Sequence, residues 1–328
     1  MNMISEEVLN GVYQSGKRFE SFVDGEMVYS GYNERSAEVA IEKKKGIWTR
    51  RKSGSSNSSY GGSIVSSPPV SANNSPSFSE RTDEEIYKDI QLRFETIDLM
   101  VQASLCGLNK SLVISGPAGL GKSYGVLKAL EESGCPYQIV KGHVSPRQLY
   151  VLLYENRGSD NILCFDDCDG VFSDEISLNL MKSACDSSDI RNCSWFSSKV
   201  VTDSEDNVVP NTFQFDGSII FITNKNFNAE IEKDNKMSVH FEALRSRSHF
   251  ISLGINTKRD YLIRIKQVVE TTNILGNVST RIKKDILDFI EENQDRLIEL
   301  SLRVVNKISD LIKMTSEWKD IARITLMN

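Results

Sequence analysis

Gly116-Pro117-Ala118-Gly119-Leu120-Gly121-Lys122-Ser123, preceded by the apolar run Ser111-Leu112-Val113-Ile114-Ser115, is the stretch that decides the fold. It is a complete G-x-x-x-x-G-K-[ST] phosphate-binding loop. Its glycines let the backbone curl until consecutive N–H groups converge on a polyphosphate, and the positive end of the following helix adds to that field. Lys122 is expected to reach the outer phosphates, and the Ser123 hydroxyl to join a Mg²⁺ shell. The run at 111–115 predicts a buried strand, and 123–132 predicts a helix. Strand, loop and helix in this order are the context the motif requires.

Outward from the loop, the chain alternates. Residues 84–106 predict a helix leading into the first strand. Strands at 137–140, 161–165, 218–223 and 250–253 are separated by helices at 146–156 and 175–187. That alternation predicts an α/β fold, a parallel sheet with helices on both faces. After Asn256 the strand signals stop. Helical stretches at 259–272, 279–294 and 297–314 predict a small all-helical domain.

Two strand ends carry polar groups beside the loop. Ile162-Leu163-Cys164-Phe165-Asp166-Asp167 is a buried strand closing in two carboxylates, and ligands of open parallel sheets bind beyond such ends. Asp166 is expected on Mg²⁺, which prefers hard oxygen ligands. Asp167 takes the place of the base that polarises an attacking water. Asn224, closing the strand at 218–223, is expected to orient that water. The plainer alternatives are surface-turn acids and a turn asparagine.

Bulk composition narrows the class. The chain has 328 residues, 39% of them hydrophobic and 26% charged, with a formal net charge of −6. A net negative chain is not coated in nucleic acid, though a local basic groove remains compatible. No apolar run approaches a membrane span and no secretory signal opens the chain, so neither a membrane nor secretion is expected. Six cysteines without a C-x-x-C pair, and only three histidines, read as reduced thiols of a cytoplasmic protein rather than a zinc site.

Gly116–Ser123, Phe165-Asp166-Asp167, Asn224 and Ala243-Leu244-Arg245-Ser246-Arg247-Ser248 together resemble the motif series of AAA+ ATPases, in particular bacteriophage-encoded ones. The resemblance spans roughly 84–315. It implies ATP with Mg²⁺ as ligands, with Walker A, Walker B and sensor 1 roles on the residues above. It further implies an arginine acting on the neighbouring subunit, Arg247 first and Arg245 second, and hence a homo-oligomeric ring. Arg303, early in a helix of the final region, resembles sensor 2. The family normally has Glu where this chain has Asp167, one methylene shorter. A misplacement of about 1 Å can slow a reaction roughly 10²-fold.

The expected organisation is an N-terminal appendage at 1–52, a Ser/Gly/Pro linker at 53–81, a nucleotide-binding domain at 82–256 and a helical lid at 257–328. Asp24-Gly25 predicts a hairpin in the appendage. The appendage ends in a basic cluster, Lys43 to Lys52 around Trp48, which suits either a nucleic-acid arm or a solvated linker edge. Lys141 and His143 follow the second strand and leave the same two readings open. The stretches 195–201 and 209–215 flank an acidic turn with Asp203, Glu205 and Asp206, predicting an inserted hairpin that suits a protein partner. Three functions follow. One is remodelling of a DNA-associated complex, helicase- or clamp-loader-like. The second is a MoxR-like chaperone acting on protein. The third is a nucleotide-gated module with slow turnover. The expected location is the cytoplasm, of a host cell if phage-encoded.

Overall fold

Alternate residues of the central strands feed two separate hydrophobic cores, the signature of a sheet covered on both faces. In the computed structural model, which describes residues 10–15, 18–23, 26–31, 81–276 and 278–328, Val113, Leu163, Phe165, Ile219 and Phe221 enter one core. Leu112, Ile114, Ile162, Cys164, Ile220 and Ile222 enter the other. The strands are β4 (Ser111–Ser115), β5 (Tyr137–Lys141), β6 (Ile162–Asp166), β9 (Ser218–Thr223) and β10 (His249–Ser252), ordered β10-β4-β9-β6-β5. Every neighbouring pair is parallel. Every residue of β4, β6 and β9 is buried, whereas β5, at the edge, is half exposed. Phe165 and Phe221 stack across β6 and β9 with ring centres 5.4 Å apart.

Helices α1 (Asp83–Leu105), α2 (Lys122–Ser133), α3 (Pro146–Glu155) and α4 (Glu175–Ala184) lie where the sequence pattern places them, within about three residues at each end. Local chemistry sets their starts. Ser145 caps α3 with Pro146 in its first turn, and the Asp174 carboxylate accepts from the Ser177 N–H at the head of α4. A 3₁₀ turn, Asp169–Phe172, joins β6 to α4. Two helices between β9 and β10, α5 (Phe227–Glu232) and α6 (Ser238–Arg247), were not expected from the pattern.

The inserted hairpin is present, folded about the expected acidic turn. Its paired strands are β7 (Asn192–Ser194), which ends just before 195–201, and β8 (Thr212–Gln214), which lies inside 209–215. Within the arm Thr202 bridges Val208, the Trp195 N–H donates to the Asn211 carbonyl at 2.8 Å and the Val209 N–H to the Val201 carbonyl at 2.9 Å. Side chains of α3 hold the arm as well, with Arg147 giving to the Val200 carbonyl and the Glu155 carboxylate accepting from the Ser204 N–H.

Beyond β10 come α7 (Lys258–Thr271), α8 (Thr280–Glu292), α9 (Leu302–Met314) and α10 (Trp318–Leu326), around a core that includes Ile265, Val269, Ile286, Val305 and Ile308. The helix expected from 297 begins at Leu302, because Leu297 pairs with Met327 and Ser301 caps the helix. The fourth helix, α10, was not anticipated. Met1–Thr82 is a separate unit. It holds an antiparallel meander, β1 (Asn10–Ser15), β2 (Arg18–Val23) and β3 (Glu26–Gly31), in which Val23 pairs with Glu26 on either side of Asp24-Gly25. The basic cluster and the linker up to residue 80 lie outside the described residues.

Candidate nucleotide and metal site

The phosphate loop leaves β4 at the carboxyl edge of the sheet and enters α2. Its conformation depends on glycine at two points, Gly119 at φ 74° and Gly121 at φ 93°. Gly121 caps α2 in the left-handed region, and no side chain accepts from the helix's first N–H groups. A side chain at Gly116 is excluded sterically, since a Cβ there would stand 2.8 Å from Leu253.

Lys122 is buried, and its Nζ donates to the Gly116 carbonyl at 2.6 Å, the Pro117 carbonyl at 2.7 Å and Asn224 Oδ1 at 2.9 Å. Burial pushes its pKa down to about 8, against the pull of Asp167, Asp166 and Asp169. Asn224 passes the contact on, its Nδ2 donating to Asp167 Oδ1 at 2.8 Å. Ser123 Oγ donates to Asp166 Oδ1 at 2.6 Å. Lys122, Asn224, Asp167, Ser123 and Asp166 therefore make two short chains of contacts leading from the head of α2 to the ends of β6 and β9.

The buried carboxylate of Asp166 and the Ser123 hydroxyl form a hard-oxygen pair of the kind Mg²⁺ selects. Asp166 Oδ2 faces Lys141 Nζ at 2.9 Å. Asp167 is exposed and has φ 52°, a left-handed turn that aspartate tolerates better than most residues. That turn carries the side chain toward Asn224. Asp169 is not free to stand in for Asp167, because its carboxylate accepts from the Thr223 hydroxyl.

The helical region closes over the loop. The Leu302 N–H donates to the Gly119 carbonyl at 2.8 Å, and a Cβ on Gly119 would meet Ser301 Cβ at 2.7 Å. Arg303 lies alongside, its Cδ 3.8 Å from that same point, and its charge contributes to depressing Lys122. Arg245 and Arg247 are elsewhere. They end α6, before β10, where Ser248 Oγ bonds Ser111 Oγ at 2.7 Å at the amino end of β4. Arg247 rests 3.4 Å from Asp186 and gives to the Ala243 carbonyl, and Arg245 gives to Asn228 Oδ1 at 2.7 Å.

No family model matches the chain. It is 31% identical over 288 residues to the uncharacterized 36.7 kDa protein of the nrdC-mobD intergenic region of Enterobacteria phage T4, covering 85% of this chain and 83% of that protein. The chain belongs to the family of this phage T4 protein. Among solved structures, a RuvB Holliday junction branch migration motor of Thermotoga maritima aligns at 13% identity and TM-score 0.38, over 73% of this chain and 68% of that one. NtrX of Brucella abortus in complex with ADP aligns at 15% identity and TM-score 0.35, over 71% and 46%. The order β10-β4-β9-β6-β5, with the phosphate loop between β4 and α2, gives this member of the phage T4 family a P-loop fold, a parallel sheet with helices on both faces.

Two residues at this family member's loop and strand ends escaped the sequence reading as site residues. Lys141, read there as either a nucleic-acid contact or a solvated turn residue, is paired in register with Asp166, so adjacent parallel strands deliver both side chains to one edge. Arg264 of α7 reaches the loop from the helical side, its Nε 3.3 Å from the Leu120 carbonyl. A single arginine in an amphipathic helix carries no signal of its own. Among the described residues no helix is long and apolar enough to cross a membrane.

Proposed function

We propose that the chain is a Mg²⁺-dependent ATPase working as a homo-oligomer on a DNA-associated protein complex. The observation that carries the ATPase reading is the continuous contact from Lys122 through Asn224 to Asp167, beside the Ser123–Asp166 pair. A bound Mg²⁺ would neutralise phosphate charge at Ser123 and Asp166. Loop N–H groups and Lys122 hold the phosphates. Asp167, aimed by Asn224, accepts the proton of a water whose oxygen attacks the outermost phosphorus. The bond to the bridging oxygen breaks, giving ADP and phosphate. Arg303 steadies the phosphate from the helical region, which acts as a lid over residues 257–328.

Support for an oligomer comes from Arg247 and Arg245. They stand about one strand length, roughly 15 Å, from the loop of their own chain, where they complete a site only on a neighbour. The DNA component rests on the basic stretch from Lys43 to Lys52. One observation favours a second reading, a protein-remodelling chaperone indifferent to DNA. The hairpin arm exposes Phe196, Val200 and Val208 behind its acidic tip, a surface suited to protein rather than phosphate backbone. Steady-state ATP turnover with and without single- and double-stranded DNA separates them. Stimulation by DNA supports the first reading, and indifference removes it in favour of the second.

A further inference from the structure

In a loop whose N–H groups converge inward, the carbonyls face outward and need donors of their own. Two consecutive ones, Gly119 and Leu120, are served from the helical region, by the Leu302 N–H at 2.8 Å and by Arg264 Nε at 3.3 Å. The Arg264 guanidinium is itself held on several sides. It lies 3.4 Å over the centre of the Phe94 ring on α1, and its Nη1 donates to Gln267 Oε1 at 2.7 Å. Gln267 in turn gives to the Tyr87 carbonyl. A Cβ on Gly121 would stand 3.6 Å from Arg264 Nη2, so the guanidinium also covers the next glycine of the loop. Burial brings its pKa down to about 10, with Asp98 opposing, so it stays charged at neutral pH and makes a charge-assisted bond.

We propose that Arg264 is a positioning residue for phosphate binding, holding the Leu120 carbonyl outward so that the following N–H groups face the phosphates. It also ties the helical region to the phosphate loop. The inference rests on the nucleotide-binding reading above. A lysine cannot substitute, because one ammonium cannot lie flat on Phe94 while serving both Gln267 and Leu120.

The test is hydrogen exchange on the full nucleotide-free chain, followed by titration with a fluorescent ADP analogue. In Arg264→Gln, the amides of Leu302 and of the first hydrogen-bonded turn of α2 should exchange about tenfold faster, the change expected from losing one charge-assisted bond, while those of β6 and β9 keep their rates. Affinity for the analogue should fall by a similar factor, and Arg264→Lys should restore neither. Unchanged exchange at those amides in Arg264→Gln, or full rescue by lysine, overturns the proposal. If Arg264→Gln does not fold, Phe94→Leu replaces it and should shift the same amides by a smaller factor. No shift there overturns the proposal as well. Failure of the wild-type chain to bind the analogue would sink the nucleotide reading, while the exchange rates still judge Arg264.

Discussion

The Asn224 amide donates to Asp167 Oδ1 at 2.8 Å while its carbonyl oxygen accepts from Lys122 Nζ at 2.9 Å. One side chain thus ties the phosphate-loop lysine to the proposed base. Asn224→Ala should lower ATP turnover by about 10²-fold, the scale of losing one aligned polar group at a reacting centre. Nucleotide affinity should change far less. Turnover close to wild type, measured at saturating ATP, would remove Asn224 from the mechanism.

Asp167 occupies φ 52°, and this offers a reason for aspartate where the resemblance leads one to expect glutamate. Asp and Asn accept the left-handed region through local hydrogen bonding, whereas a longer side chain costs about 1 kcal/mol or more there. Asp167→Asn should therefore melt at the wild-type temperature and trap bound ATP. Asp167→Glu should melt lower by about 2–4 °C without gaining turnover. A faster glutamate variant with an unshifted melt would contradict this account.

Arg247 is expected to act across a subunit boundary. Arg247→Ala should abolish turnover and leave nucleotide binding intact, and Arg245→Ala should do less. Mixing Arg247→Ala with Lys122→Ala protein should recover part of the activity, since a mixed oligomer pairs an intact loop with an intact arginine. Full turnover by Arg247→Ala alone rules the assignment out.

His240 of α6 is buried, its Nδ1 has no hydrogen-bond partner, and its Nε2 lies 3.9 Å from Glu175. Burial holds its pKa below the ordinary 6.5, reinforced by Lys182 and opposed by Glu175. The unfolded chain therefore binds a proton at a higher pH than the folded one. The stability contribution is present above pH 6.5 and is lost as pH falls from there toward the folded value. His240→Phe should flatten that part of the melting profile as pH falls below 6.5. An unchanged acid slope would place its origin elsewhere.

What could be read from sequence was whatever a strand or a motif states locally. Ser111–Ser115, the loop and Ser218–Thr223 were legible because short, continuously apolar runs and obligatory glycines leave few alternatives. Where the hairpin's regular pairing sits was not, since side chains of α3, Arg147 and Glu155, also hold its arm. Lys141 and Arg264 were missed for a related reason. Their partners, Asp166 and the Leu120 carbonyl, are 25 and 144 residues away, and only the folded register brings them together.

The central claim is ATP hydrolysis at the Lys122–Asn224–Asp167 arrangement. It is tested most directly by steady-state phosphate release from ATP with Mg²⁺, wild type against Lys122→Ala. Turnover by the wild-type chain should disappear in the variant and on chelation of the metal. Equal release from both proteins, or none from a wild-type chain that binds ATP, would contradict it.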